Sequence, residues 1–199
     1  MSIRPKFWLL SAVIGFGAWQ YMQDRPVSTA TGQLAPESPK QIELKTPQTY
    51  TQGIYTLTAL AQYEVTARVL GKERYYFDAG AELVPVDLAL GWGAMSDTNV
   101  LQALDITQNN RFYFYRWRDQ PPIPAQDIVS HSANTHLIPS SPSIEKKIKS
   151  VRPGQVVHIK GTLVEASAPD GRTWRSSLTR DDSGNGACEL LRVESIEIR

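Results

Sequence analysis

The chain has a single cysteine, Cys188. No intramolecular disulfide can form, so stability must come from a packed core rather than from crosslinks. No cysteine follows the apolar N-terminal run, which excludes a lipid attached to an N-terminal cysteine. An excess of either charge is also missing. Twenty-one Lys and Arg stand against 20 Asp and Glu, for a net charge of +1. Nucleic-acid binding normally needs a clear basic surplus, so it is not expected. Only three histidines are present. They lack a second ligand pair at zinc-type spacing, so neither a metal site nor a cofactor is expected. There is no internal repeat, and beyond the first thirty residues no long hydrophobic run.

What is there begins at the N-terminus. Arg4 and Lys6 precede an apolar run over residues 7–22. Basic residues before such a run mark a signal anchor or a secretory signal. As a helix the run reaches roughly 24 Å, short of a bilayer core of about 30 Å. Trp8, Trp19 and Tyr21 suit the two interfaces, and Lys6 and Arg25 can snorkel outward. The reading favoured is a single uncleaved transmembrane helix. A cleaved signal, ending near Gly15 and Gly17 or near Ser28 and Ala30, and a buried soluble helix are the alternatives. The positive flank places residues 1–6 in the cytoplasm and the rest outside it.

Residues 23–45 are rich in Pro, Ser, Thr and Gln and poor in apolar side chains. They read as a flexible linker. Residues 46–199 suffice for one domain with a full core, and the pattern there is mainly β. Residues 55–70 are β-rich, with partial alternation over 63–70, and Gly71-Lys72 predicts a turn into 73–77. Residues 83–90 are apolar but contain Pro85, which predicts an edge or irregular strand. Ser96 or Asp97 caps a short helix carrying Val100, Leu101 and Leu104. Residues 111–117 form an aromatic strand covered on both faces, and a Pro-rich loop follows at 120–125. Ser141 and Pro142 open a second helix with Ile144, Ile148 and Val151 on one face and basic residues Lys146, Lys147, Lys149 and Arg152 beside it. A solvated face is the default for those, with anionic lipid as the minor alternative.

The clearest strand covers 155–165, with Val157, Ile159, Gly161 and Leu163 on one face and a bend expected at Gly161. Pro169-Asp170-Gly171 turns it into 173–178. The last strand, 188–198, changes phase between Val193 and Ile196, which predicts a bulge near Glu194 or Ser195. Together these predict a β-rich α+β domain: a small partly open barrel or a strongly curved antiparallel sheet with two short helices.

Residues 152–163 resemble the strand entry of an OB-type barrel. Leu90-Gly-Trp-Gly-Ala-Met-Ser-Asp97 and the segment from Arg175 to Glu189 resemble a functionally uncharacterised group of membrane-anchored bacterial envelope proteins. That resemblance implies a bacterial envelope location, with the anchor in the inner membrane and the domain in the periplasm, and no activity.

Candidate chemistry is sparse. Cys188 with His131 or His136, Asn134 and Asp181 or Asp182 compose a possible Cys-His-Asn or Cys-His-Asp site. The structural alternative makes Cys188 a small packed residue at a strand start and has the histidines bond loop backbone. Trp92, between two glycines, is either a binding platform or a core plug. Arg175 and Arg180 are further binding candidates. His158 is expected at the surface. Residues 179–186 form an acidic, Gly-bearing turn without the ordered ligands of an EF-hand. The reading reached is a membrane-anchored extracytoplasmic domain that binds an envelope partner or ligand, and not first an enzyme. The alternative is a thiol or hydrolase-type envelope enzyme built on Cys188.

Overall fold

The computed structural model describes residues 15, 17, 25–179, 184 and 186–199. The expected anchor over 7–22, apart from Gly15 and Gly17, lies outside the described residues. Among the described residues no helix is long and apolar enough to cross a membrane.

The organising element is one very long strand, β3 (Tyr55–Arg74), preceded by two short ones, β1 (Lys40–Glu43) and β2 (Thr49–Gln52). Alternate residues of β3 from Ala59 to Val69 are buried, and polar or half-exposed residues stand between them over most of that length. The expected turn at Gly71-Lys72 does not occur. Instead β3 continues through a bulge between Val69 and Gly71. A Cβ at Gly71 would stand 2.6 Å from Gln108 Oε1, the far end of a flexible side chain.

The chain then makes β4 (Val86–Gly91) and a 3-10 turn (Gly93–Ser96). Helix α1 (Thr98–Gln102) follows, its Asp97 cap accepting from the Asn99 amide. A small hairpin comes next, β5 (Asp105–Asn109) and β6 (Phe112–Arg116), and then α2 (Ala125–Ser130) and β7 (Ser132–Pro139). Helix α3 (Pro142–Ser150) is capped as expected by Ser141, whose hydroxyl accepts from the Ile144 amide. Strands β8 (Val156–Ser167), β9 (Thr173–Arg175) and β10 (Glu189–Ile198) complete the chain.

The main sheet runs β1-β3-β4-β7-β10-β8-β9, with β2 also on β3 and a further pairing of β3 with β8. It is strongly curved and is not a closed barrel. It is not wholly antiparallel either, because β7 and β10 pair in parallel. β4 is no edge strand: it lies between β3 and β7, and all six of its residues are buried. Pro85 permits this because it stands just outside the ladder, where its carbonyl accepts from the Tyr75 amide.

The aromatic strand β6 is not covered on both faces. It pairs only with β5 in a separate two-stranded sheet, and Phe114 is 46% exposed. Three short helices stand where two were expected, α2 being the addition. The segment read as a linker is laid against the domain in its described part. Val27 donates to the Pro153 carbonyl, Ala35 is buried, and β1 pairs with β3.

Apolar side chains fill both faces of the central strands. Leu137 and Leu191 belong to one cluster, which α3 covers with Ile144, Ile148 and Val151. Their chain neighbours Ile138 and Leu190 belong to a second cluster with Leu83, Val84 and Val164. Successive side chains of a strand point to opposite faces, so β7 and β10 are buried on both. Gly161 sits where a Cβ would stand 2.1 Å from the Arg192 carbonyl oxygen, and β10 shifts register between Val193 and Ser195 as its phase change predicted.

Candidate functional site

On the second face of the sheet, ionisable side chains are buried at the middle of two central strands. Asp87 on β4 is the cross-strand partner of His136 on β7. Directly opposed residues share a face. His136 Nδ1 lies 2.9 Å from Asp87 Oδ1, and the two side chains are 3% and 0% exposed. The approach is close but lacks linear hydrogen-bond geometry, and Asp87 Oδ2 has no hydrogen-bond partner among the described residues. The Trp174 ring leans on the imidazole, with centroids 4.6 Å apart.

Because β10 runs parallel beside β7, the residue just before it, Cys188, arrives next to this pair. Leu190 is the parallel partner of His136, so Cys188, two residues before it, lies on the same face as the imidazole. Asn134, two residues earlier on the same face of β7, holds Nδ2 3.9 Å from Cys188 Sγ. Burial opposes charging of His136. The contacts with Asp87 and Cys188 outweigh it and lift the imidazole to about 9.

The tip of the β5–β6 hairpin closes over the cluster. Asn110 and Arg111 form its two-residue turn with φ of 51° and 69°, the paired positive values of a type I′ turn. Arg111 is an unusual occupant of that conformation, and its side chain is bound on every side. Two nitrogens bond Asp78 at 2.9 and 2.8 Å. Nη1 bonds the Val84 carbonyl at 2.9 Å and Asp87 Oδ1 at 3.1 Å. The guanidinium carbon lies 3.5 Å from the Tyr75 ring centre. Pairing with Arg111 holds Asp78 below the usual carboxylate range. Burial, helped by the Asp87 charge, pushes the Tyr75 phenol up. Asn134 ties the other end of the hairpin, accepting from Gln108 at 2.8 Å and donating to the Arg111 carbonyl at 2.9 Å.

Two clefts open beside the hairpin tip. One, of about 410 Å³, takes Arg111, Asp78, Tyr55 and Trp174 into its wall. The other, of about 310 Å³, is lined by Phe112, Phe114, Val129, Ala133, Asn134 and Cys188. A larger concavity of about 760 Å³, with Phe77, Lys149 and Arg192 in its wall, contains no histidine or cysteine. The chemistry therefore sits by the smaller clefts. Among the described residues no group of His, Cys, Asp or Glu is placed to hold a metal ion.

Of the residues singled out from the sequence, the fold unites Cys188, His136 and Asn134. Cys188 is half-exposed at the cleft wall rather than packed away. His136 is on a buried strand and not in a loop. The segment 131–136 had read as a loop because it is polar, and it is polar because β7 carries this cluster. His131 is not part of the cluster. It ends α2, its Nδ1 is 2.8 Å from the Asp127 carbonyl, and its ring packs on Gly93. Trp92 is 1% exposed inside the first cluster, so it is a core residue and no binding platform. Arg175 is exposed and pairs with Glu165 on the β8–β9 hairpin. Arg180, Asp181 and Asp182 lie outside the described residues. His158 is only 19% exposed and contacts Glu64 at 2.9 Å. Sequence reasoning missed Asp87, Arg111 and Trp174. The available signal was Asp87 itself, one acid inside an apolar strand.

The set offers a carboxylate that orients an imidazole, an imidazole beside a thiol, and an amide donor next to sulfur. No protein-family model matches the chain, and no curated protein or solved structure is similar to it.

Proposed function

We propose that this chain is a bacterial envelope protein. Residues 7–22 anchor it in the inner membrane with the N-terminus in the cytoplasm, and the domain in the periplasm binds a small ligand or partner segment. The basic flank of the apolar run supports the orientation.

We read the five strands β3, β4, β7, β8 and β10 as a partly open OB-type barrel. The pairings support it: first to second, second to third, third to fifth in parallel, fifth to fourth, and fourth to first, with α3 between third and fourth. OB-type barrels bind ligands on the face of the second and third strands and on the loops joining strands one to two and four to five. Here those are β4, β7, residues 75–85 and residues 168–188. The observation that carries the binding reading is that the buried Asp87–His136 pair and both aromatic-walled clefts lie on that face. The near-neutral charge weighs against nucleic acid as the ligand.

Native mass spectrometry of the intact protein, extracted from membranes in mild detergent, tests this. A companion mass is expected on the native chain and not on Trp174→Ala. A bare chain in both preparations would sink the reading. A second reading, an envelope thiol enzyme, is favoured by the placing of Cys188 on the face of β7 that carries His136 and Asn134, with Asn134 Nδ2 3.9 Å from Sγ.

A further inference from the structure

We propose that Cys188 is a nucleophile that accepts an acyl group from an ester or thioester, with His136 as its base, Asp87 orienting the imidazole, and the cleft beside Phe112 and Phe114 receiving an apolar acyl chain. The proposal rests on the binding face described above and assigns it a reaction.

The argument starts from position. A thiol reacts as its thiolate, and a neighbouring imidazole is the usual means of forming one. Cys188 stands two residues before Leu190, the parallel partner of His136, so thiol and imidazole share one face of the β7–β10 pair. A nucleophile and base need a third group to fix the base, and the buried Asp87 stands 2.9 Å from the imidazole on its Nδ1 side. Trp174 covers the ring and keeps water from it. Asn134 Nδ2 holds one hydrogen on the Arg111 carbonyl and presents its other toward Sγ at 3.9 Å. It is the donor nearest to the place where a carbonyl oxygen attacked by sulfur would gain charge.

The thiol is also reachable. Cys188 lines the open cleft of about 310 Å³ together with Phe112, Phe114, Val129 and Ala133. Among the described residues those walls carry no charged side chain, so they fit a hydrocarbon or aromatic acyl group rather than a charged one.

The step balances as follows. His136 as imidazolium already holds the proton drawn from Cys188, the thiolate sulfur attacks the acyl carbon, and a carbon–sulfur bond forms. The bond from the acyl carbon to the leaving oxygen or sulfur breaks, and the leaving group departs with the proton held by His136. The products are an acyl thioester on Cys188 and a free alcohol or thiol. Water then releases the carboxylic acid by the reverse roles, with no oxidant or reductant.

The test uses the full chain in detergent and 4-nitrophenyl butyrate as probe. Cys188 is the sole thiol, so peptide mass mapping locates the label without ambiguity. A burst of nitrophenolate near one equivalent is expected, with the butyryl mass on Cys188. Cys188→Ala should lose both. His136→Gln should acylate about a hundredfold more slowly, while His131→Gln should match the native chain. Should His136→Gln fail to fold, native protein blocked with iodoacetamide replaces it and must lose the burst, and Asn134→Ala must slow it.

Label on lysines alone, or equal acylation of His136→Gln, would overturn the proposal. Binding of the non-cleavable N-(4-nitrophenyl)butyramide is measured in parallel by tryptophan fluorescence. Binding without acylation overturns the reaction and spares the binding face. Absence of both removes both.

Discussion

Arg111 and His136 meet on a single oxygen. Asp87 Oδ1 lies 3.1 Å from Arg111 Nη1 and 2.9 Å from His136 Nδ1. The hairpin tip and the imidazole therefore share one buried carboxylate. Whatever moves the hairpin alters the electrostatics of the histidine, and through it the thiol.

The first prediction follows from that sharing. Arg111→Ala removes a largely buried cation and leaves Asp87 with His136 as its remaining cationic neighbour. Breaking a buried pair on one side typically costs about 3–5 kcal/mol. Urea unfolding should show a loss of that order. Arg111→Gly should lose less, because glycine adopts the positive φ without cost. Two variants as stable as the native chain would mean that the hairpin is not held by this side chain.

The second concerns pH. The folded His136 titrates near 9, above its ordinary value of 6.5. A raised folded value means that the native state binds the proton more tightly than the unfolded chain does. The resulting stability is fully present below about pH 6.5 and is lost as pH rises through about 9, by about 2–3 kcal/mol. Unfolding midpoints measured from pH 6 to 9.5 should fall across this window, and His136→Gln should flatten the fall. A midpoint that rises with pH would show that burial, and not Asp87, governs the imidazole.

The third tests the bend of β8. A methyl at Gly161 would meet the Arg192 carbonyl, which is backbone and cannot swing away. Gly161→Ala should lower the melting temperature, by a cost of about 1–3 kcal/mol or more. Unchanged melting would show that β8 and β10 have room to separate here.

The fourth concerns topology. Alkaline phosphatase fused after Arg199 should be active, and green fluorescent protein fused there should stay dark. Fluorescence without phosphatase activity would reverse the assigned orientation.

Much of the fold was legible in the residues because it rests on local pattern. Val157, Ile159 and Leu163 share a buried face, as their spacing required. Ser141 and Pro142 opened a helix because cap chemistry is local. The register shift at Val193 and Ser195 showed as a change of phase. Misreadings came where distant partners decide. Gly71-Lys72 has turn composition, yet hydrogen bonds to β4 keep it in strand. The aromatic run of β6 has strand composition, yet its partner is only β5.

The site divides along the same line. Cys188, His136 and Asn134 were identifiable as residue types capable of thiol chemistry, and a single cysteine excluded an intramolecular disulfide. Which histidine serves, and which carboxylate, were not determined there. The parallel seating of β10 beside β7 brings Cys188 level with Asn134, on the face that carries His136, and not to His131. The register of β4 against β7 makes Asp87, 49 positions from His136, its direct neighbour. A strand's composition fixes which faces are apolar. Only its pairing fixes which polar residue on that face meets which, because that depends on backbone hydrogen bonds between segments far apart in the chain.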